Sequence, residues 1–180
     1  APTCHLTMNK LQQTLGLLAL SCWAALAAAQ NTLDNPDWVE EKEAPPPAFS
    51  SSKLLMLDMP NFVTVKVGID PNTLYTGGDG IVRYVAVMTN STGTTNAVYE
   101  GIRCLTGEVK TYARAGSSGT WSPVANPVWR DLLDNMGSQH PRMFARQAAC
   151  YARVVVSKPD IIKALQTGTK PAYQKNDNPV

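Results

Sequence analysis

Of the four cysteines in this 180-residue chain, only Cys104 and Cys150 stand beyond its apolar leader, and that pair constrains the fold more than any other feature. Cys4 precedes the first methionine, Met8, and Cys22 sits inside the leader. An even pair of cysteines behind an export signal reads as a disulfide, because exported chains fold in oxidising compartments. Two buried free thiols are the alternative. In the chain-entropy model, closing a loop of this length is worth roughly 4 kcal/mol.

The leader is read from the order of its residue types. Lys10 opens it, Leu15, Leu17, Leu18, Ala19, Leu20 and Trp23 form its apolar centre, and Ala27-Ala28-Ala29 closes it before Gln30. A positive start, an apolar core and the small residues Ala27 and Ala29 at the exit describe a signal peptide over residues 8–29. Gly16, Ser21 and Cys22 interrupt the run, whereas a membrane span needs about 20 apolar residues. The mature chain is therefore expected to be periplasmic, with no transmembrane span. Ala19-Leu20-Ser21-Cys22 also resembles a lipoprotein processing box, so a lipid anchor at Cys22 is the alternative to cleavage after Ala29. Residues 1–7 read as upstream residues without structure.

Composition excludes several function classes. Sixteen basic and fourteen acidic residues leave the chain near neutral, which gives no electrostatic footprint for nucleic acid and no polybasic patch. Beyond the leader there is one histidine, His140. One histidine and two bridged cysteines do not make an ordinary zinc site. No Gly-x-Ser-x-Gly elbow or phosphate loop occurs, and Gly77-Gly78-Asp79-Gly80 lacks dinucleotide spacing. No catalytic residue, cofactor or metal ligand is assigned.

Residues 30–53 are acidic and Pro-rich, with Glu40, Glu41, Pro45-Pro46-Pro47 and Ser50-Ser51-Ser52, and read as an extended arm that Trp38 alone could dock. Phe62 to Ile69 suggests a strand ending at an Asp70-Pro71-Asn72 turn. Ile81 to Thr89, Thr94 to Cys104 and Val109 to Arg114 predict an antiparallel meander, joined at Asn90-Ser91-Thr92-Gly93 and Thr106-Gly107. A short segment follows around Trp121. Asn126 as N-cap, Pro127 and Gly137 predict a helix presenting Val128, Leu132, Leu133 and Met136. A second helix is expected from Pro141 to Ala149, with Met143, Phe144, Gln147 and Ala148 inward. Val154 to Val156 could form a last strand, and Ser157-Lys158-Pro159 opens a helix to Gln166. The expected fold class is α+β: an antiparallel meander with two or three short helices packed on it, and one disulfide. The globular domain spans residues 54–157, followed by a short helix and tail over 158–180.

A four-residue turn would place Thr89 opposite Thr94 and Arg83 opposite Glu100. Val98, Ile102 and Cys104 share the Glu100 face. Arg83 and Glu100 on an apolar face should pair, because either alone is costly to bury. The pair is a device of fold specificity or part of a polar ligand site. The other face would carry Tyr84, Met88, Tyr99, Arg103, Lys110 and Tyr112. It is either a surface for a partner or ligand, or a layer that the helices cover.

At Asp79-Gly80-Ile81-Val82-Arg83-Tyr84 and Tyr99-Glu100-Gly101-Ile102-Arg103-Cys104 the chain resembles the cryptic-neisserial-protein-like family, small exported proteins of Gram-negative proteobacteria with no established activity. Gly107-Glu108, Tyr112-Ala113, Gly119-Thr120-Trp121, Trp129 and Cys150 extend the likeness, which covers residues 37–153. The resemblance implies a periplasmic or envelope-associated protein, and its second cysteine fits the bridge. It supplies no catalytic residues. The expected function is a non-catalytic accessory subunit or binding module with an envelope protein partner. A small-ligand-binding protein is one alternative. The other is a small hydrolase using Glu100 or His140, with Arg83 as anion stabiliser.

Overall fold

A computed structural model describes residues 35, 37–42 and 44–170. The expected signal peptide over residues 8–29, Cys4, Cys22, the expected exit at Ala27, Ala29 and Gln30, and residues 171–180 lie outside the described residues. The strands are β1 (Leu55–Met56), β2 (Lys66–Ile69), β3 (Tyr75–Thr76), β4 (Ile81–Thr89), β5 (Thr95–Arg103), β6 (Glu108–Ala115), β7 (Trp121–Pro123) and β8 (Arg130–Asp131). Then come α1 (His140–Phe144), a π-helical stretch (Ala145–Ala149), a hairpin of β9 (Cys150–Tyr151) and β10 (Val154–Val155), and α2 (Lys158–Thr167). The class is α+β.

Strands β1 to β8 form one antiparallel sheet in the order β1-β2-β4-β5-β6-β7, with β3 also on β4 and β8 also on β6. β4 and β5 are rich in Val, Ile, Tyr and Thr, the residues that fit a pleated surface. Between β2 and β3 the chain turns through a single 3-10 turn, Pro71–Thr73, capped by Asp70, whose carboxylate accepts from Asn72 N. Thr73 Oγ1 then accepts from Val85 N at 3.0 Å and ties the turn to β4.

Two cores sandwich the sheet. On one face Val82, Tyr84, Ala86, Val98, Ile102 and Val109 pack against Phe144, Ala148, Ala149, Ile161 and Ala164 of the helical layer. On the other, Val85, Val87, Ala97, Tyr99, Tyr112 and Ala113 pack under Phe49, Leu54 and Trp121. α2 begins at Ser157, whose hydroxyl caps Asp160 N, and it buries Ile161 and Ala164 in the first core. No helix among the described residues is long and apolar enough to cross a membrane.

Cys104 follows β5, Cys150 opens β9, and a disulfide joins them with their Cα atoms 5.6 Å apart. The bridge fastens the helical layer to the end of the central strand.

Three expectations from the sequence are corrected. The β4–β5 loop runs over five residues, not four, so Thr89 pairs with Thr95 and Arg83 with Gly101. The Asn90 carboxamide accepts from Thr92 N and Thr94 N, and Gly93 takes a φ of 83°. Only glycine enters that left-handed region freely, and the longer loop it closes shifts β5 by one residue. Second, there is no helix over 126–137. Asn126 has a φ of 52° rather than an N-cap conformation, and Arg130–Asp131 pairs with Val109 and Glu108 along the edge of β6. Pairing to an open strand edge outcompetes local helix propensity, and Val128 and Leu133 are left exposed. Third, the strand expected from Phe62 starts only at Lys66, and Phe62 itself is exposed.

Candidate functional site

The one-residue shift decides which side chains meet. On β4 and β5, Tyr84 stands opposite Glu100 on the helix-facing side of the sheet. The Tyr84 hydroxyl donates to Glu100 Oε2 at 2.7 Å, and Thr111 of β6 donates to Oε1 at 2.9 Å. α1 begins at His140, with Pro141 in the first turn, where its fixed φ suits a helix start. His140 Nε2 lies 2.8 Å from Glu100 Oε2. Nδ1 of the same ring is 2.8 Å from Ser138 Oγ. Phe144, one turn on, packs on the Tyr84 ring at 4.5 Å and holds α1 against the sheet.

Burial alone would raise the pKa of Glu100. Electrostatic attraction to His140 and the hydrogen bonds from His140, Tyr84 and Thr111 outweigh it and hold the carboxyl below its ordinary value of 4.5. Burial, with the adjoining Glu100 charge, pushes the Tyr84 hydroxyl well above its ordinary value, so it stays a donor. Glu100, Ser138 and His140 form part of the wall of a cavity of about 420 Å³, with Arg114 and Arg130 also lining it. Val109, Val124 and Met136 supply apolar wall. No group of three or more His, Cys, Asp or Glu side chains among the described residues is arranged to hold a metal ion.

Arg83 lies on the other side of the sheet, which corrects the expected Arg83–Glu100 pair. It donates to both oxygens of Asp79, at 3.2 and 2.7 Å. Burial disfavours its charge, but the hydrogen bond and charge of Asp79 more than compensate, so its pKa is raised. Burial works against the Asp79 carboxylate too. Hydrogen bonds from Arg83, Glu41 N and Ile81 N, with the Arg83 charge, leave its pKa lowered.

The expected interaction face divides accordingly. Tyr84 and Met88 belong to the helix-facing side, whereas Tyr99, Tyr112 and Arg103 lie on the side of Arg83. That second side is covered by the chain's own arm. Trp38 donates its indole N–H to Asp79 O at 2.8 Å and lies under the Arg103 guanidinium, 3.8 Å from ring centroid to Cζ. Glu40 accepts from Lys110 Nζ and from the Tyr112 hydroxyl, each at 2.7 Å. Trp129 Nε1 reaches the same carboxylate at 3.3 Å. Further along, Trp121 Nε1 donates to Pro47 O at 3.0 Å, and Ser50 N donates to Asp70.

Sequence reasoning missed Ser138 and the partnership of His140 with Glu100. Ser138 and His140 are two residues apart and could have been read together, but nothing local connects either to Glu100.

The sequence model of the CNP1-like family matches residues 33–166. No curated protein and no solved structure matches the chain. The matched span contains the arm from Trp38, the central strands, the Glu100–His140 contact and both bridged cysteines. It covers most of the sequence and bears out the likeness read at Tyr99 to Cys104: this chain belongs to the CNP1-like family.

Proposed function

We propose that the chain is an exported, non-catalytic binding module that takes a small anionic ligand in the cavity beside Glu100 and His140. One observation carries the reading. Arg114 and Arg130 both line that cavity, and neither forms an ion pair with a described residue. Its one lining carboxylate, Glu100, is already engaged by three donors from the protein. Two guanidinium groups beside apolar walls suit a carboxylate or phosphate carried on an apolar body. The leader composition and the Cys104–Cys150 bridge support export to the periplasm.

The reading as an accessory subunit remains compatible, but with a condition. A partner binding on the side of Tyr99, Arg103 and Tyr112 must first displace the arm. Thermal-shift screening with small carboxylates and phosphates tests the ligand reading. A ligand at a hundredfold its Kd should add about 2.7 kcal/mol, and the gain should vanish in Arg114→Gln/Arg130→Gln. A screen in which no anion stabilises the protein would count against the cavity as a binding site.

A hydrolytic reading draws on a different observation, the continuous Ser138–His140–Glu100 contact chain. With Glu100 ionised, Nε2 donates to it, and a neutral ring accepts from Ser138 at Nδ1, which is the arrangement that activates a serine nucleophile. Arg83 takes no part, being on the other side of the sheet. Covalent labelling of Ser138 by a fluorophosphonate, lost in Ser138→Ala, would favour the enzyme over the binding module.

A further inference from the structure

A second cavity, of about 680 Å³, lies beside the Cys104–Cys150 bridge and is distinct from the one above. Leu132, Ala145 and the bridge line it with apolar surface. Arg142 reaches it from α1, Arg146 from the π-helical stretch, Arg153 from the β9–β10 turn, and Lys170 from beyond α2. None of these four cations forms an ion pair with a described residue, and Arg153 donates only to Leu105 O, at 3.4 Å. Asp131 is the one acidic lining residue, and its carboxylate already accepts from Leu133 N at 2.7 Å. In a chain with nearly equal basic and acidic totals, this is a local excess of positive charge.

The same region exposes large apolar side chains. Leu133 is 70% exposed, Val154 53% and Tyr151 44%. Leu133 and Tyr151 line the cavity, and Val154 is the cross-strand partner of Tyr151. Single exposed apolar residues are ordinary on a monomer, but a group of them beside cations with no ion-pair partner among the described residues suits an interaction surface.

We propose that this surface docks on a bilayer containing anionic phospholipid, with Arg142, Arg146, Arg153 and Lys170 on the headgroup phosphates. Leu133 and Val154 enter the interfacial layer, where their aliphatic tips are buried. A dissolved anion would satisfy the cations and leave the apolar tips in water. An apolar protein partner would bury the tips and strip four cations of water without pairing them. An anionic lipid surface meets both requirements.

Sedimentation of the full chain with vesicles of phosphatidylcholine, alone or mixed with phosphatidylglycerol, tests the proposal. The apolar leader contributes to binding in both, so the difference between the two vesicle types is the readout. The expected result is at least a tenfold preference for the anionic vesicles at low salt. That preference should disappear in Arg142→Gln/Arg146→Gln/Arg153→Gln/Lys170→Gln, since each cation near such a surface is worth about fivefold. Leu133→Ser/Val154→Ser should weaken anionic-vesicle binding severalfold. All six positions are tested for folding by thermal unfolding. Equal binding to both vesicle types, or an undiminished preference in the quadruple variant, would overturn the proposal. So would a preference that emerges only when residues 171–180 are removed, which would make the chain's own tail the occupant.

Discussion

The imidazole of His140 meets the carboxylate of Glu100 at 2.8 Å across 40 residues of sequence, inside the layer between sheet and helices. Both side chains are nearly inaccessible to water. Their contact links α1 to the central strand at the point where Tyr84 and Thr111 also converge. Glu100→Gln preserves the shape but turns an N–H donor toward either His140 or Thr111. Loss of one member of a buried pair should cost about 3 kcal/mol, read as a lower urea midpoint with an unchanged slope. Tyr84→Phe removes one hydrogen bond to a charged acceptor and should cost less, about 1.5 kcal/mol.

The same contact predicts the acid limb of the stability curve. The Glu100 pKa is lower in the folded chain than its ordinary value of 4.5, so the unfolded chain takes up a proton first as pH falls. The stabilisation is complete above pH 4.5 and is lost as pH drops through the folded value. Asp79 follows the same sign below its ordinary 3.8. Urea titrations at a series of pH values should therefore show stability falling from about pH 4.5 downward, and Glu100→Gln should flatten the upper part of that fall.

Trp38 holds the arm through three contacts: the Asp79 carbonyl, the Arg103 guanidinium and the edge of Trp129, whose centroid is 6.2 Å away. Trp38→Ala should release the first part of the arm at a cost of roughly 1–3 kcal/mol. Limited trypsin digestion should then cut rapidly after Lys42 while the rest of the domain stays resistant. Equal protection at Lys42 in both proteins would show that Glu40 and Glu41 hold the arm without the indole.

Gly101 faces Arg83 on the arm side of the sheet, and a Cβ there would sit 2.7 Å from the Tyr112 hydroxyl and 2.8 Å from Ile81 Cγ2. Gly101→Ala should cost about 2 kcal/mol by overpacking. Because that hydroxyl also donates to Glu40, amide exchange in the arm should quicken in the same variant.

Removing the bridge by Cys104→Ala/Cys150→Ala should lower stability by about 4 kcal/mol, the chain-entropy value for a loop spanning 46 residues. The expected signature is a lower thermal midpoint that reduction of the native protein reproduces.

The meander was legible because its signals are local. β-branched and aromatic runs bounded by glycine turns specify β4, β5 and β6 without reference to the rest of the molecule. The start of α2 at Ser157-Lys158-Pro159 was legible for the same reason. The disulfide followed from reading residues 8–29 as an export signal and pairing the two cysteines after them. Trp38 was expected to dock the arm alone, but Glu40, Glu41, Pro47 and Ser50 hold it as well, through partners 20 to 89 residues away that no local signal indicates.

Tertiary structure decided the rest. A single extra residue in the Asn90–Thr94 loop turned Glu100 toward Tyr84 and sent Arg83 to the opposite side, since alternate residues of a strand face opposite ways. The segment from Asn126 carries a good helix signal, yet the open edge of β6 captured it as a strand. His140 acquired a partner only when α1 folded back over the sheet. Local sequence determines which pieces of backbone form. Which side chains meet depends on registers and edges that are settled between distant segments, where one residue of offset is enough to reassign a site.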